Sequence, residues 1–275
     1  NVFKNEFSGT IWGEGPCYIP LEKKLVWSDI PNNRMMQLFN NKVTEYRNPS
    51  NFINGNTLDN NGNVISCSHG GRCIYKQNEE SFSILIDNFN GKKFNSPNDI
   101  CVKSDDTIWF TDPPYGILSD YEGYKGNQEY EGCYVFRYNP KNNELIVITK
   151  DLVRPNGISF SNDEKKIYIA DTGEGINCLY VFDVNQNSIE NKKLVYDFKP
   201  FFSDGFRCDK DGNIWTSAGK SIKCFNQKNE LIGQVLVPEL VSNLEFGGEE
   251  GNILYVTATS SLYSMELNQV GAKFK

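Results

Sequence analysis

The sequence predicts an all-β protein, a six-bladed β-propeller with four antiparallel strands in each blade. Three observations support this prediction: an internal repeat, hairpin-like segments in every copy of it, and an aromatic content of 13%, which suits the pleated surface of a sheet. The copies begin at Glu14, Asn54, Asn98, Asn156, Asp204 and Asn243. Repeats of roughly 40–50 residues with four strands each are typical of propellers. We expect residues 1–275 to form a single domain.

Each copy opens with a polar residue and a short strand, turns through Gly, Asn and Asp residues, and continues into an apolar second strand. This order is typical of β-hairpins. Third strands are predicted at 34–39, 72–76, 133–138, 178–184, 221–225 and 261–267. Fourth strands are predicted at KVTEY, SFSILI, ELIVIT, KKLVYDF and LIGQVLV. The sixth copy lacks one, and we expect the segment from Val2 to Ile11 to supply it and close the ring.

The longest interval between copies contains an insertion, PPYGILSDYEGYKGNQEYEG, at residues 113–132. Long loops in compact domains are either functional or passive excursions over the surface. The sequence leaves both interpretations open: a loop at one mouth of the axial channel, with a lid function, or a surface excursion. No segment shows a strong helical periodicity.

Composition limits the partners and the location of the protein. The 28 basic and 35 acidic residues give a net charge of −7, and no basic stripe predicts nucleic-acid binding. No apolar run approaches the roughly 18–20 residues that span a bilayer. Most of the eight cysteines lie in apolar strand-like runs and none forms a CxxC pair. This usage favours buried, reduced thiols and a cytoplasmic protein over a disulfide framework.

The six opening residues are the candidate functional residues. Because the innermost strand of every blade runs beside the axis, these side chains are expected to converge. They comprise two carboxylates and four amides, all of them oxygen donors. Two converging carboxylates repel each other, and a hard divalent cation such as Ca²⁺, Mg²⁺ or Mn²⁺ removes the conflict. The alternative is a local role, because Asn and Asp also favour loop-to-strand junctions.

Eight motifs resemble the gluconolactonase/regucalcin family, whose relatives include calcium-dependent phosphotriesterases and luciferin-regenerating proteins. They are GEGP (13–16), SDIPNNRM (28–35), SCSHGGR (66–72), NSPND (95–99), FTDPPYG (110–116), RPNG (154–157), SDG (203–205) and NLEFGG (243–248). The resemblance implies a sugar-type lactone as substrate and one divalent cation held by Glu14, Asn156 and Asp204. Ca²⁺ is the favoured ion, with Mg²⁺, Mn²⁺ and Zn²⁺ open.

The resemblance also implies a substrate-binding asparagine beside the metal. Spacing selects Asn98 rather than Asn95, because Asn98 precedes Trp109 by the same interval that separates Asp204 from Trp215. The arginine that the regucalcin branch carries two residues earlier is absent from this chain, and Ser96 takes its place. The preferred sugar therefore stays open.

The mechanism that follows is metal-assisted lactone hydrolysis. Asp204 is the expected proton acceptor for the attacking water, and Asn98 is expected to hold a sugar hydroxyl or the developing oxyanion. His69 and Arg72 are either substrate contacts at the mouth or, for His69, a structural group between blades. Asp112 either lines the channel or caps the turn before two prolines.

Two other functions fit the same residues. One is organophosphate or arylester hydrolysis at the same metal. The other is a calcium-binding propeller without turnover, since one fold hosts many functions. A serine hydrolase is excluded in its usual form, because the chain has one histidine and no GxSxG motif.

Overall fold

A computed structural model describes residues 3–78 and 81–273 of the chain. Its strands form six antiparallel sheets of four strands and one two-stranded ribbon. The six sheets follow one another along the chain as the blades of a ring, which confirms the predicted six-bladed β-propeller. Neighbouring blades contact each other through their innermost strands, so these strands surround the central axis.

The first half of the chain forms blades one to three. β1 (Lys4–Ser8) precedes blade one, which contains β2 (Gly13–Ile19), β3 (Lys24–Asp29), β4 (Arg34–Phe39) and β5 (Lys42–Arg47). Blade two contains β6 (Ile53–Leu58), β7 (Val64–Ser68), β8 (Cys73–Asn78) and β9 (Ser81–Ile86), and the ribbon β10 (Asn88–Phe89) and β11 (Lys92–Lys93) follows. Blade three contains β12 (Ile100–Val102), β13 (Ile108–Asp112), β14 (Tyr134–Asn139) and β15 (Glu144–Thr149).

The second half repeats this arrangement. Blade four contains β16 (Pro155–Phe160), β17 (Lys166–Asp171), β18 (Cys178–Asn185) and β19 (Ser188–Asp197). Blade five contains β20 (Phe206–Cys208), β21 (Ile214–Ser217), β22 (Ser221–Phe225) and β23 (Leu231–Leu236). Blade six contains β24 (Val241–Gly247), β25 (Ile253–Ala258) and β26 (Ser261–Glu266). The third strands begin within one residue of their predicted starts, whereas β19 begins four residues before the predicted KKLVYDF segment.

The amino-terminal strand closes the ring. β1 pairs antiparallel with β26, from Lys4 opposite Ser264 to Ser8 opposite Ser261, and becomes the outer strand of blade six. The Phe7 ring also packs against Trp27 of blade one, with centroids 6.0 Å apart. The predicted closure is confirmed for the described residues, and Val2 lies outside them.

Aromatic side chains join consecutive blades at equivalent positions. Trp109 of β13 packs edge-on against Phe160 of β16, with ring centroids 5.2 Å apart. Trp215 of β21 packs in the same way against Phe246 of β24 at 6.2 Å. Each tryptophan thus reaches from the second strand of its blade to the innermost strand of the next. This shared packing explains why the two tryptophans stand at the same interval from Asn98 and Asp204.

The innermost strands are buried on both faces, whereas the outermost strands alternate between partly buried and exposed residues. This difference follows from the ring, in which only the outer strand of each blade faces solvent along its edge. A cavity of about 510 Å³ lies at the end of the channel where the innermost strands terminate, and Arg207 and Glu245 border it. Arg207 Nε lies 2.9 Å from Glu245 Oε2.

All eight cysteines are buried free thiols. Burial raises the pKa of the Cys17, Cys208 and Cys224 thiols to about 12, so they stay protonated at neutral pH. The α-helix α1 (Tyr115–Leu118) has four residues and lies within the insertion. Among the described residues, no helix has the length and hydrophobicity needed to cross a bilayer.

Candidate metal centre

The opening residues of the six innermost strands form a buried ring, which we call the axial ring. Each strand enters the sheet from the same rim of the propeller, so these side chains meet at one end of the channel. The members of the axial ring are Glu14, Asn54, Asn98, Asn156, Asp204 and Asn243, and all are at least nine-tenths buried. The structure thus brings together residues that are far apart in the sequence.

Glycines let adjacent blades meet closely at the axial ring. A Cβ atom added to Gly157 would lie 2.0 Å from the carbonyl oxygen of Asp204. A Cβ added to Gly205 would lie 1.9 Å from the side chain of Asn243. Gly15 and Gly55 make comparably close approaches to the backbone of the next blade. Any larger residue at these positions would push the blades apart, because the obstacles are backbone or packed axial groups.

Hydroxyl groups of the second strands hold the backbone of the axial ring. Ser28 Oγ donates to the carbonyl oxygen of Asn54 at 2.7 Å, and Thr111 Oγ1 donates to that of Asn156 at 2.7 Å. Both bonds cross from one blade to the next. Sequence reasoning missed these residues, although a Ser or Thr recurs in the second strands of blades one, two, three, five and six.

The four amides of the axial ring differ in how far the protein already uses them. Asn243 donates from Nδ2 to Glu14 at 3.0 Å and accepts from the backbone N–H of Leu244 at 2.8 Å, so both of its polar atoms are engaged. Asn156 donates from Nδ2 to Thr172 Oγ1 at 3.2 Å, which leaves its side-chain oxygen available. The Asn98 side chain makes no hydrogen bond to any residue that the structure describes.

The two carboxylates of the axial ring are close enough to affect each other's ionisation. Burial raises the pKa of Glu14 to about 7, against the lowering effect of hydrogen bonds from Gly15 and Asn243. Burial and then the charge of Glu14 raise the pKa of Asp204 well above its usual value, while a hydrogen bond from Asn156 lowers it. None of the described residues forms an ion pair with either carboxylate. The site therefore concentrates negative charge, with no basic partner in the described part of the chain.

This donor set fits a hard cation. Within residues 3–78 and 81–273, no group of three or more His, Cys, Asp and Glu side chains is placed to hold a metal ion. A cation at the axial ring would therefore have two carboxylates and would depend on amide oxygens for its remaining protein ligands. Carboxylate and amide oxygens are the ligands that Ca²⁺ accepts in proteins, whereas structural zinc sites use thiolates and imidazoles.

Asn95 and Ser96 support the loop that carries Asn98. Asn95 Nδ2 donates to the carbonyl oxygens of Asp112 and Gly132, both at 3.1 Å. Ser96 Oγ donates to the carbonyl oxygen of Pro113 at 2.6 Å and accepts from the backbone N–H of Gly116 at 2.9 Å. Ser96 therefore anchors the beginning of the insertion, at the position where the regucalcin branch carries an arginine.

His69 connects the axial ring to the insertion. Its Nε2 lies 3.2 Å from Asn54 Nδ2, and its Nδ1 lies 3.0 Å from the carbonyl oxygen of Glu122. Because the Asn54 amide donates to Nε2 and the carbonyl oxygen of Glu122 can only accept from Nδ1, the proton of the neutral imidazole lies on Nδ1. Burial lowers the pKa of His69 to about 4, so the ring is neutral at physiological pH. The protein engages both ring nitrogens. This is what we expect if His69 is a structural group between blades rather than a substrate contact.

Arg72 holds the outer part of the insertion. Its Nε donates to the carbonyl oxygen of Phe94 at 2.5 Å, its Nη2 donates to that of Asn127 at 3.3 Å, and its Nη1 lies 3.8 Å from Glu129. These contacts place Arg72 at the mouth, where it supports the loop. They do not direct the guanidinium at the axial ring.

Asp112 has the contacts of a local cap. Its carboxylate accepts hydrogen bonds from the backbone N–H groups of Asn95 and Ser96, at 2.8 and 2.9 Å, and from the Tyr130 hydroxyl. Burial raises its pKa to about 7.

Asp171 at the end of β17 makes the same kind of contact with the N–H groups of Val153 and Arg154, both at 2.9 Å. The recurrence in blade four supports the capping interpretation over a channel-lining one.

The insertion, which we call the mouth loop (residues 113–132), packs against three blades. Gly116 contacts Ser96 of blade three, Glu122 accepts from His69 of blade two, and the Tyr115 hydroxyl lies 2.6 Å from Thr172 Oγ1 of blade four. These anchors surround the rim that carries the axial ring. Of the two interpretations of this segment, the structure supports a loop at the channel mouth.

A six-bladed propeller with a buried ring of carboxylate and amide side chains at one mouth defines the class of the protein, a propeller with a polar site on its axis. The family model described as the SMP-30/Gluconolactonase/LRE-like region matches residues 12–260. The chain therefore belongs to this family, as its motifs suggest.

Individual relatives agree with the family. The gluconolactonase of Zymomonas mobilis is 29% identical to this chain in an alignment 287 positions long. The alignment covers 94% of this chain and 80% of the relative. An X-ray structure of a provisionally assigned gluconolactonase superposes with a TM-score of 0.93 at 36% identity, covering 98% of this chain and 93% of that one. The structure of a Xanthomonas campestris gluconolactonase gives a TM-score of 0.92 at 28% identity, covering 96% and 89%.

The capping role of Asp112 can be tested by comparing Asp112→Ala with Asp171→Ala. Asp112→Ala leaves two backbone N–H groups without their acceptor and Asp171→Ala leaves three, so we expect each change to lower the free energy of unfolding by about 2–4 kcal/mol in urea denaturation. If Asp112→Ala were as stable as the wild type while Asp171→Ala were destabilised, the capping role of Asp112 would be contradicted and the channel-lining role would be favoured.

The neutral state of His69 predicts a pH dependence of stability. Because its pKa is lowered from 6.5 to about 4, the unfolded chain takes up a proton that the folded protein excludes. The contribution of the neutral His69 ring to the free energy of unfolding is therefore complete above pH 6.5 and is lost as the pH falls towards 4. Relative to His69→Gln, the wild type should lose roughly 3 kcal/mol across this window. A stability difference between the two proteins that does not change from pH 7 to pH 4 would refute a buried neutral imidazole.

Proposed function

We propose that this chain hydrolyses a sugar-type lactone, with one divalent cation held by Glu14, Asn156 and Asp204. The observation that carries the proposal is the burial of two carboxylates in a ring of oxygen ligands, where no basic side chain of residues 3–78 and 81–273 pairs with them. The gluconolactonases to which the chain is similar support a lactone as the substrate class. A bound cation would relieve the repulsion between the carboxylates, which the protein itself leaves uncompensated.

Ca²⁺ is the favoured ion because every donor is an oxygen, and Mg²⁺, Mn²⁺ and Zn²⁺ remain alternatives. Glu14 would be held in place by Asn243, which donates to its Oε2. Asn156 would offer its side-chain oxygen, since its amide nitrogen is directed at Thr172. When bound, a divalent cation polarises a carbonyl oxygen and makes a nearby water more acidic.

Asp204 is the proposed proton acceptor. Its raised pKa gives the carboxylate a greater affinity for a proton than an exposed aspartate has. A general base works best when its pKa approaches the working pH, and its contribution is typically about 10²–10⁴-fold. The backbone N–H of Asp204 donates to Ser217 Oγ at 2.7 Å, which fixes the main chain that carries this base.

Asn98 and Asn54 are the proposed polar contacts to the substrate. The Asn98 amide has no partner among the described residues, so it can donate to a sugar hydroxyl or to the oxyanion that develops on the carbonyl. Asn54 is orientated by His69, whose neutral ring accepts from its Nδ2. An amide that is already held in position has less conformational freedom to lose when substrate binds.

The proposal predicts metal-dependent acid release from a sugar lactone. The chain, stripped with EDTA and then given Ca²⁺, should hydrolyse D-glucono-1,5-lactone in a pH-stat assay after subtraction of the spontaneous rate. Asp204→Asn should lower kcat by at least about 10³-fold, because it removes the base and one charge of the cation site. Asp211→Asn, at an exposed aspartate of the same blade, is the matched control and should keep full activity.

Hydrolysis that persists in EDTA, or near-normal turnover by Asp204→Asn, would remove the proposal. Calcium binding measured by calorimetry without hydrolysis of any lactone would favour the propeller without turnover. An arylester or phosphotriester cleaved in preference to every lactone would favour the other hydrolase function.

A further inference from the structure

The loops that lead into the innermost strands expose apolar side chains at one equivalent position. This position lies three residues before a member of the axial ring, and it is apolar in blades one, four, five and six. The four residues there are between 37 and 49% exposed to solvent. We call them the apolar crown: Ile11, Val153, Phe201 and Leu240. Because three residues of extended chain span at most about 10 Å, the apolar crown lies close to the axial ring.

The mouth loop extends this apolar surface around the entrance. In blades two and three the equivalent residues are Asn51 and Asn95, and the loop packs on this side. Asn95 Nδ2 donates to the carbonyl oxygen of Gly132 at 3.1 Å. The Tyr124 ring packs edge-on against Phe52, with centroids 5.2 Å apart. The loop in turn exposes three large side chains, those of Leu118, Tyr121 and Tyr124.

The fold positions the apolar crown on the surface by means of two glycines. A Cβ added to Gly173 would lie 2.5 Å from the Cβ of Val153, and one added to Gly219 would lie 2.6 Å from the Phe201 ring. Each glycine stands two residues after the end of a second strand, β17 or β21. Both side chains are therefore fixed against the backbone while they remain exposed to water. Exposed apolar surface of this kind is unfavourable unless a partner covers it.

The opposite rim of the propeller has a different character. There the turns between the first and second strands carry charged residues, Asn, Ser and Gly, and Leu21 is an apolar exception. These turns lie at 21–24, 59–63, 103–107, 161–165, 209–213 and 248–252. The apolar loops are thus a property of the rim that carries the axial ring. An apolar patch at the entrance to a polar site indicates a surface that binds a ligand.

We propose that the apolar crown and the mouth loop bind an apolar substituent of the substrate, so that the site takes amphiphilic lactones with an alkyl or aryl group on the lactone ring. The axial ring lies at this end of the channel, so the crown borders the path of its ligand. A second copy of the chain or a lipid surface would reach the same residues only by covering the entrance. This inference rests on the proposed lactone hydrolysis and extends its substrate class.

The kinetic test varies only the apolar substituent. With saturating Ca²⁺, kcat/KM of the wild type should rise at least about 10-fold from δ-hexalactone to δ-decalactone, because each added methylene leaves water in part. The double variant Phe201→Ser/Leu240→Ser should reduce this rise to about threefold or less. Its activity on δ-hexalactone and on D-glucono-1,5-lactone should stay within about twofold of the wild type. Leu21→Ser, at an exposed leucine of the opposite rim, is the matched control and should keep the full rise.

A binding measurement separates this inference from the proposed function. Methyl and n-octyl β-D-glucopyranoside share a sugar ring but have no lactone carbonyl, so calorimetry below the micelle concentration reports binding without hydrolysis. We expect the octyl compound to bind the wild type about 10-fold or more tightly than the methyl compound, and the double variant to lose this difference. Such a result with a wild type that hydrolyses no lactone would overturn the proposed function alone.

Three results would overturn the role of the apolar crown. The first is a wild-type kcat/KM that does not rise with chain length, and the second is a rise that the double variant retains in full. The third is an equal loss by the double variant on every lactone, which would indicate a displaced axial ring. Dimerisation in sedimentation, or binding to phosphatidylcholine vesicles, without a preference for the longer lactone would assign the crown to another partner and overturn the inference.

Discussion

The structure depends on one electrostatic constraint: Glu14 and Asp204, from distant parts of the sequence, are both buried in the axial ring at the end of the propeller axis. Burial raises the pKa of both, and neither has a basic partner among the described residues. Burying like charges is unfavourable unless an opposite charge is supplied. The innermost strands begin at the same rim, so the fold maintains this unfavourable arrangement. Such local conflicts are typical of functional sites, where a ligand relieves them.

The surroundings of the axial ring are rigid in ways that a cation or substrate could use. Glycine contacts such as Gly157 on Asp204 set the spacing between blades, and hydroxyls such as Thr111 Oγ1 fix the main chain. The mouth loop is anchored to blades two, three and four, so it forms a wall beside the site. Polar side chains held by supporting bonds lose less entropy on binding than free ones.

The blade repeat could be predicted from the sequence, because every strand pair is local and every blade repeats its turn chemistry. The closing of the ring by β1 was also predictable, since the sixth copy lacked a strand. The roles of Asp112, His69 and the mouth loop were not, because their partners lie across blades or along the loop. A comparison of the second strands could have identified Asp112: β3, β13 and β17 all end in aspartate, and a recurring residue of this kind indicates a structural role.

The central claim is that Glu14, Asn156 and Asp204 hold one cation at the axis. Anomalous diffraction from crystals grown with Mn²⁺ or Ca²⁺ tests this most directly, because it locates the ion independently of activity. The account predicts one anomalous peak within roughly 2.0–2.6 Å of an oxygen of each of the three side chains. An anomalous map without a peak at the axial ring, or with its strongest peak bound elsewhere in the chain, would contradict it.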